Sequence, residues 1–495
     1  MHDVVIVGAG PVGLFLAGEL GLAGRSVLVL EREPEPRSPW RSFPLGMRGL
    51  SAGSVEAFHR RGMLSPLLAA SDVDERPVPD EPEPPRSVGH FAGTPLDPAA
   101  VDLARFPHRL PSPALDGIMT SLEAVETVLA ERAGKLGVEI RRGVEVTAVT
   151  QDGSGVVAWA GDREYPARWL VGCDGGRSAV RRLAGFAFDG TEPQLTGYLA
   201  LATLADPGVL RRGFTVTPEG MYLTMSEPGH LGVLDFDGGA YDRSRPPTRE
   251  HLQSVLRRVS GTDVTIAEVH LASTFTDRAK QTSTYRRGRV LLAGDAAHIH
   301  SPLGGQGLNL GIGDAMNLGW KLAATAAGTA PSELLDTYTA ERHPVGERVL
   351  DWSRAQVAVM RPDRHSRAAR AVLEDLLATR DGTTYVFERL SPARYDWGGE
   401  QRLAGHNAPE FVLADGTTLA DLLHNGHGVA LDFSADARLH EVASRYGNRI
   451  RYAAGPARND LGFGAVLVRP DGIVAWTGDR VPDPGSFEEA VRRWF

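Results

Sequence analysis

The segment VVIVGAGPVG, residues 4–13, places a run of β-branched residues directly before three glycines in the pattern G-x-G-x-x-G. Gly8 permits a tight turn, Gly10 lets a phosphate group approach the backbone, and Gly13 allows a helix to pack closely on the preceding strand. The N-terminus of that helix supplies unpaired N–H groups and the positive end of its dipole. The segment therefore predicts a strand, a turn and a helix that bind the pyrophosphate of a dinucleotide.

The residues that follow complete this dinucleotide-binding unit. Residues 26–30 predict a second strand that ends on Glu31, after a helix that stops near residue 23. Glu31 lies 18 residues past Gly13, where a carboxylate can accept hydrogen bonds from ribose hydroxyls. Pro11 and Arg32 lie beside these positions, and we include both in the predicted cofactor-binding set.

A second glycine-rich motif lies near residue 300. A buried strand is predicted just before Gly294-Asp295, where a carboxylate can bind the ribityl or pyrophosphate portion of a flavin. A glycine-rich turn then leads into a helix from about residue 308 to 327, and the N–H groups at its start favour the negative charge of a reduced flavin. The residues predicted to contact the cofactor here are Gly294, Asp295, Pro302, Gly305, Gly307, Leu308 and Asn309.

A third run, Asp174-Gly175-Gly176-Arg177-Ser178 followed by Arg181, joins these motifs into a recognisable set. The set resembles the single-component FAD-dependent aromatic hydroxylases, most of all the actinomycete enzymes that hydroxylate aromatic polyketides such as angucyclines and anthracyclines. The resemblance covers the whole chain. It implies an α/β fold with a Rossmann-like FAD-binding domain (1–180 and 285–394), an inserted sheet domain for substrate (181–284) and a thioredoxin-like C-terminal domain (395–495).

The resemblance also assigns roles to individual residues. Arg41 matches an arginine near the flavin or its pyrophosphate, and Arg48 is the alternative. Relatives often place a glutamine before the helix that starts near Ser121, but none occurs here between residues 118 and 126. Asp174 is predicted to contact the cofactor; an ion pair with Arg181 that stabilises the turn is the competing interpretation.

The resemblance implies that NAD(P)H, with NADPH preferred over NADH, reduces FAD and that molecular oxygen adds to the reduced ring at C4a. A phenolic ring carbon then takes the distal oxygen of the hydroperoxide. The flavin carries this chemistry, so no protein nucleophile or base is assigned. No metal site is predicted, because the histidines lack ligand spacing and Cys173 is the only cysteine, which also rules out a Cys-x-x-Cys in the C-terminal domain.

The substrate is expected to be a small aromatic molecule bound between the flavin and sheet domains. Residues 72–86, rich in proline and charge, form either a plain surface loop or a cover over the mouth of the site. The candidates for contact with a flat polycycle are also consistent with ordinary sheet core; they are Met221, Tyr222, Met225, Phe236 and Phe275.

Composition excludes several other classes of protein. A net charge of −9 does not favour nucleic acid, and no apolar stretch of about 18 residues or more predicts a membrane span. The N-terminus lacks the features of a signal peptide, so we expect a cytoplasmic enzyme, with a homodimer as the candidate assembly. Three other functions stay open, namely Baeyer–Villiger oxygen insertion, a flavin dehydrogenase or reductase without oxygen transfer, and a non-catalytic FAD-binding protein whose C-terminal domain mediates interactions.

Overall fold

The computed structural model describes residues 1–75, 77–78, 81, 83, 85–225, 229–390 and 403–495. Its helices are α1 (Pro11–Leu22), α2 (Ala52–His59), α3 (Leu64–Ala70), α4 (Leu122–Lys135), α5 (Ala179–Leu183), α6 (Arg249–Ser260), α7 (Gln306–Ala327), α8 (Asp336–Met360), α9 (Arg364–Leu377), α10 (Arg380–Leu390), α11 (Leu419–Leu423), α12 (Ala437–Ser444) and α13 (Pro484–Trp494). Its strands are β1 (His2–Val7), β2 (Val27–Glu31), β3 (Met47–Leu50), β4 (His90–Phe91), β5 (Thr94–Pro95), β6 (Ile118–Ser121), β7 (Glu139–Arg142), β8 (Ala148–Gln151), β9 (Val156–Ala160), β10 (Arg163–Gly172), β11 (Phe188–Thr191), β12 (Thr196–Leu204), β13 (Gly213–Thr217), β14 (Gly220–Thr224), β15 (His230–Asp235), β16 (Ile266–Thr276), β17 (Ala279–Thr282), β18 (Arg286–Arg287), β19 (Val290–Leu292), β20 (His298–Ile299), β21 (Gly428–Asp432), β22 (Ile450–Ala454), β23 (Ala465–Val468) and β24 (Val474–Gly478).

The sheet that positions the predicted motifs has the order β18–β19–β10–β1–β2–β7. Strands β19, β10, β1, β2 and β7 run parallel, and Val4, Val5 and Ile6 of the central strand β1 are fully buried, as expected for a strand covered on both faces. The carboxyl ends of these strands meet at one edge of the sheet. That edge therefore brings together the glycine turn after β1, Glu31 at the end of β2, the residues after β10 and Gly294-Asp295 after β19.

Helix α1 packs against α7 and α4 on this sheet. The two helices α1 and α7 approach closely because glycines stand at their contact: a Cβ at Gly311 would lie 2.4 Å from Cγ2 of Val12, and one at Gly319 would lie 2.6 Å from Cβ of Glu19. This contact holds the start of α7 beside the start of α1. The two helix N-termini predicted to bind the cofactor therefore belong to one rigid layer.

A second sheet, antiparallel throughout, has the order β13–β14–β15–β12–β16. One face packs on α6, whose buried residues Leu252, Val255, Leu256 and Val259 follow helical spacing. The other face packs against residues 88–106 and helices α8 to α10. A small sheet, β11–β17–β20, joins this domain to the segment that follows Gly294-Asp295.

The C-terminal residues form a sheet of order β22–β21–β23–β24, packed with α11, α12 and α13. Strands β21 and β22 are parallel and the other pairs antiparallel, and the chain's only cysteine, Cys173, lies elsewhere. This is the predicted thioredoxin-like arrangement without a dithiol. Among the described residues no helix is long and apolar enough to cross a membrane.

The predicted domain limits stay a prediction. The limit between 180 and 181 falls inside α5, and the limit between 284 and 285 falls between β17 and β18. The limit between 394 and 395 lies outside the described residues.

Candidate active site

In the turn between β1 and α1, two of the three glycines stand where a Cβ would collide with backbone atoms. Gly8 has φ +108°, and a Cβ there would lie 2.4 Å from the carbonyl oxygen of Cys173. A Cβ at Gly13 would lie 2.0 Å from the carbonyl oxygen of Gly8. At Gly10 a Cβ would meet no atom within 4 Å, and no side chain caps the helix that starts at Pro11. The space above Gly10 therefore fits an anion such as a diphosphate, with free N–H groups to bind it.

The carboxylate of Glu31 is buried behind this turn. Its Oε2 accepts a hydrogen bond from the N–H of Ala9 at 2.7 Å, and its Oε1 accepts one from Glu33 at 2.9 Å. Glu31 therefore fixes the glycine turn from the end of β2 and presents acceptor oxygens where an adenosine ribose would lie. The neighbouring Arg32 is exposed and pairs with Glu33 at 3.1 Å.

Arg41 and Arg48 lie on either side of Glu126. The Nε of Arg41 is 3.4 Å from Oε2 of Glu126, and its Nη1 donates to the carbonyl of Pro36 at 2.7 Å. Burial raises the pKa of Glu126 to about 7, against the lowering effect of Arg41. Burial lowers the pKa of Arg48, against the raising effect of Asp295 and Glu126. The carboxylate of Asp295 thus acts on the guanidinium of Arg48, and which of the two arginines contacts the cofactor stays a proposal.

Asp174 caps helix α5. Its Oδ1 accepts a hydrogen bond from Oγ of Ser178 at 2.5 Å, and its Oδ2 accepts from the N–H of Ala179 at 2.6 Å. Among the described residues Arg181 does not pair with Asp174: its Nη1 donates to the carbonyl of Ala296 at 2.9 Å and its Nη2 to that of Gly176 at 2.8 Å. The competing interpretation, an ion pair between them, is therefore wrong, and Arg181 instead ties the turn after β10 to the turn after β19.

The exposed carboxylate of Asp295 is held in place by a buried network behind it. Oδ2 of Asp314 accepts from the N–H of Gly294 at 3.0 Å and lies 2.7 Å from Nε2 of His298, while Oδ1 accepts from Nε of Arg342 at 2.8 Å. Burial raises the pKa of Asp314, but the adjacent His298 and Arg342 bring it below its ordinary value. The network therefore keeps a charged carboxylate under the Gly294-Asp295 turn.

The start of α7 forms a second open helix N-terminus. Gly304 and Gly305 have φ of +80° and +63°, and no side chain caps the helix. The side chain of Asn309 accepts from the N–H of Ser51 at 2.8 Å and donates to the carbonyls of Gly49 and Gly305, both at 3.0 Å. It therefore ties β3 to the glycine turn, with the predicted Pro302, Gly307 and Leu308 in the same segment.

Two polar atoms beside this turn have no partner in the described part of the chain. One is Nε2 of Gln356, 3.2 Å from a Cβ at Gly304, and the other is Nε2 of half-buried His300, 3.6 Å from a Cβ at Gly307. The Nδ1 of His300 is 2.7 Å from the carbonyl oxygen of Ser301. A buried nitrogen without a protein partner fits a site whose bound group completes the hydrogen bonding.

A cavity of about 880 Å³ opens on the start of α7. It runs between α2, α7, α8, the end of α10, residues 85–119 and the C-terminal domain. This volume lies within the range of small-molecule sites, which are mainly apolar with a few polar groups. Its apolar wall includes Ile312, Met316, Val345, Trp352, Phe387 and Ile473. Sequence reasoning did not identify these residues, because they converge only when distant segments pack together.

None of the five substrate candidates lines this cavity among its described residues. Met221, Phe236 and Phe275 lie on the sheet face that packs against α8 to α10, whereas Tyr222 lies on the opposite face under α6. Met225 follows β14 and donates its N–H to the carbonyl of His230 at 3.4 Å. Their role in substrate binding stays a prediction.

The charged segment predicted over residues 72–86 is described only in part. Its last residues, Pro85 and Arg86, line the cavity.

Two family models match this chain. One, described as FAD binding domain, matches residues 1–353, and the other, described as aromatic-ring hydroxylase, C-terminal, matches residues 401–495. The chain belongs to the FAD-dependent aromatic-ring hydroxylases. The predicted family, its α/β fold and FAD as the cofactor are thereby confirmed, and the two open helix ends and the orphan His300 nitrogen fit that cofactor.

Individual relatives of this flavoprotein cover it end to end. A protein of Claviceps purpurea (strain 20.1) named as a monooxygenase is 45% identical over 99% of this chain and 97% of its own length. The solved structure of the OxyS anhydrotetracycline hydroxylase from Streptomyces rimosus is 37% identical, with a TM-score of 0.85 over 100% of this chain and 99% of that one. A dialkyldecalin synthase of Streptomyces rugosporus is also 37% identical, over 100% of this chain and 99% of its own length.

Proposed function

We propose that this flavoprotein is an NAD(P)H-dependent monooxygenase that transfers one atom of molecular oxygen to a phenolic ring of an aromatic polyketide in the biosynthesis of an antibiotic-type metabolite. NADPH is the proposed donor, ahead of NADH. The observation that carries the proposal is the cavity of about 880 Å³, which joins an aromatic and aliphatic wall to the glycine turn at the start of α7. Relatives that act on polyketides, such as the anhydrotetracycline hydroxylase, support the substrate class.

Two separate groups of residues would bind the two ends of FAD. The turn of Gly8, Gly10 and Gly13, with Glu31 behind it, suits the adenosine diphosphate portion. Asp295 and the uncapped N–H groups in the first turn of α7 suit the ribityl chain and the ring. When bound, FAD supplies the electron transfer and the activation of oxygen. The positive end of α7 lowers the free energy of negative charge placed above Gly305.

We expect the cavity wall to position the substrate and to exclude water from it. Trp352 packs edge-on against Phe91, with ring centroids 4.8 Å apart, and Phe387 packs in the same way against Phe106 at 5.2 Å. Rings held in this way offer a firm flat surface to a polycyclic substrate. They also keep water from the reacting atoms, which protects an oxygenating reaction from unproductive loss of peroxide.

The same motifs also suit a different outcome. Baeyer–Villiger insertion beside a ketone would use them, and a relative named as a dialkyldecalin synthase is 37% identical over 100% of this chain. A dehydrogenase without oxygen transfer is the third possibility. These alternatives differ in their need for oxygen and in the mass and structure of the product, so product chemistry separates them.

The test is NADPH oxidation by the FAD-loaded protein with a panel of polycyclic phenols, in air and without oxygen. We expect a substrate-stimulated rate and a product heavier by one oxygen atom, labelled when the gas is isotopically labelled oxygen. Trp352→Leu should lower the stimulated rate about tenfold through lost ring contact, whereas Trp159→Leu, in β9 and outside the described cavity wall, should not. An unchanged product mass, or multiple turnovers of NADPH oxidation at an equal rate without oxygen, would reject the monooxygenase.

A further inference from the structure

The solvent-exposed end of the cavity is rich in guanidinium groups, although the chain as a whole carries a net charge of −9. Arg86, Arg109 and Arg389 line this end, and Asp116 lies between the first two. Glu388 also lines it but faces Arg105 at 3.6 Å. The other charged lining groups are Arg348 and three that are paired, namely Arg60 with Glu56, Arg342 with Asp314, and Asp471 with Arg469. Among the described lining residues, arginines therefore outnumber carboxylates at the outer end.

Arg109 is the best enclosed of these outer arginines, with 13% of its side chain exposed. Its Nη2 makes a long contact of 3.4 Å to the carbonyl oxygen of Leu115 and lies 3.9 Å from Oδ1 of Asp116, too far for a hydrogen bond. Its Cζ lies 5.5 Å from the ring centroid of Phe387. Neither Nε nor Nη1 donates to an acceptor in the described part of the chain.

The other two arginines are exposed and weakly held. Nε of Arg86 is 3.6 Å from Oδ2 of Asp116, so this one carboxylate faces both Arg86 and Arg109 without a close contact to either. The guanidinium of Arg389 lies 5.0 Å from the ring centroid of Tyr385. Arginine stays charged at any ordinary pH and presents several donors in a plane. The outer end thus offers donors and charge beside aromatic rings.

We propose that this end of the cavity binds the anionic oxygen of a planar aromatic acid, an ionised enol or a carboxylate carried by the ring system, and that Arg109 determines the specificity for it. The proposal rests on the proposed function, since it takes the same cavity as the substrate site. The rings of the ligand lie along Phe387 and Trp352, with the reacting ring toward the glycine turn of α7. A guanidinium in a partly desolvated wall discriminates strongly between an anion and its neutral analogue.

The test measures binding rather than turnover. Equilibrium dialysis of the FAD-loaded protein, without NADPH, compares the anthraquinone carboxylate rhein with its uncharged methyl ester. A second pair, lawsone (a hydroxynaphthoquinone with an acidic enol) and its methyl ether, separates enol from carboxylate recognition. We expect at least one acid to bind about tenfold more tightly than its neutral partner, and added salt to reduce that preference.

Variants locate the preference. Arg109→Met should abolish it while leaving the affinity for the neutral analogue within about twofold, and Arg109→Lys should keep part of it. Arg380→Gln is the matched control, because Arg380 is an exposed arginine that pairs with Asp102 and lies outside the cavity wall. Arg389→Gln gives a second variant at an exposed position, with a smaller expected loss of preference, should Arg109→Met fail to retain FAD.

Three results would overturn the proposal. They are equal binding of acid and neutral analogue, no binding of either pair, and an undiminished preference for the acid in Arg109→Met. The outcome of the binding test is independent of the oxygenation test. If the protein prefers the acids but forms no oxygenated product, this inference stands and the proposed function is rejected. If it forms an oxygenated product but does not prefer the acids, the proposed function stands and this inference is rejected.

Discussion

The carboxyl group of Glu410 is buried where the C-terminal domain meets helix α2. Its Oε1 accepts from the N–H of Ala420 at 2.9 Å, and its Oε2 lies 4.0 Å from Nε2 of His59. Burial raises the pKa of Glu410 from 4.5 to about 7, and burial lowers that of His59 from 6.5 to about 4, so the imidazole is neutral near pH 7 and cannot compensate the carboxylate. The folded protein therefore favours the protonated acid.

Because the pKa of Glu410 is raised in the folded state, this residue contributes stability that is fully present below pH 4.5. That stability is lost as the pH rises through about 7. We expect Glu410→Gln to exceed the free energy of unfolding of the original protein by less than about 1 kcal/mol at about pH 5 and by up to roughly 3 kcal/mol at about pH 8. Urea unfolding at the two pH values measures this, with Glu441→Gln, on the exposed face of α12, as the control. A difference between variant and original protein that does not change with pH would contradict it.

Single residues were predictable from the sequence where the backbone itself imposes the choice. Gly13 is required by the carbonyl oxygen of Gly8 in the same strand–turn–helix unit, and Gly8 is required by its own φ of +108°. The alternative of an ion pair between Asp174 and Arg181 was wrong because a partner of Arg181, the carbonyl of Ala296, lies 115 positions along the chain. The same holds for Arg109, which faces Phe387 only after distant segments have packed. Local spacing specifies conformation, and long-range packing decides which side chains meet.

The turn between β1 and α1 gives a test at the level of one structural unit. Gly10 has an ordinary φ of −76° and open space around its Cβ position, so Gly10→Ala should change stability by only a few tenths of a kcal/mol. The same methyl group occupies the space of the diphosphate, so the dissociation constant for FAD should rise about tenfold or more. Gly13→Ala should instead destabilise the fold by roughly 1–3 kcal/mol, because its Cβ meets backbone at 2.0 Å.

Flavin fluorescence on titration with FAD and thermal unfolding of the apoprotein measure the two effects separately. Gly134→Ala, in the exposed part of α4 with no atom within 4 Å of its Cβ, is the control and should leave FAD affinity unchanged. If Gly10→Ala bound FAD as tightly as the original protein, the diphosphate would not lie over this turn.

The elements that carry clear periodicity were predicted well. The structure confirms β1, α1, β2, α4 and α7 within a few residues of the predicted bounds. Other helices were missed, two of them for clear physical reasons. Helix α8 runs through Pro344, a residue that ordinarily ends a helix, and α6 lies within residues 181–284, which were expected to form a sheet domain.

The contact between domains could not be predicted from the sequence, because it depends on buried charge. Arg60, Arg61 and Arg469 are almost fully buried, although arginine in a sequence usually indicates surface. Arg469 pairs with Glu341 at 2.8 Å and with Asp471 at 2.5 Å, which ties β23 to helix α8. The resemblance predicted a thioredoxin-like C-terminal domain, but its place in the cavity wall, through Ile473 and its neighbours, came only from the structure.

Arg61 pairs with Glu19 and also binds two backbone carbonyls of the C-terminal domain. Nε and Nη2 of Arg61 donate to the two carboxylate oxygens of Glu19, both at 2.7 Å, and the same guanidinium donates to the carbonyls of Leu423 at 2.9 Å and Pro470 at 2.8 Å. Arg61→Met would leave Glu19 charged and unpaired in the interior. We expect a loss of roughly 3–5 kcal/mol in the free energy of unfolding, measured by urea unfolding.

Removing both charges should recover part of this loss, since Glu19→Leu with Arg61→Met leaves no buried charge but still lacks donors for the two carbonyls. The exposed pair of Arg492 and Glu488, 2.7 Å apart within α13, supplies the control: Arg492→Met should cost less than about 1 kcal/mol. Flavin fluorescence and far-ultraviolet circular dichroism should report one coincident transition in the original protein, because the buried arginines join the domains. A loss below about 1 kcal/mol in Arg61→Met would mean that water reaches Glu19 and that this pair contributes little to the attachment of the C-terminal domain.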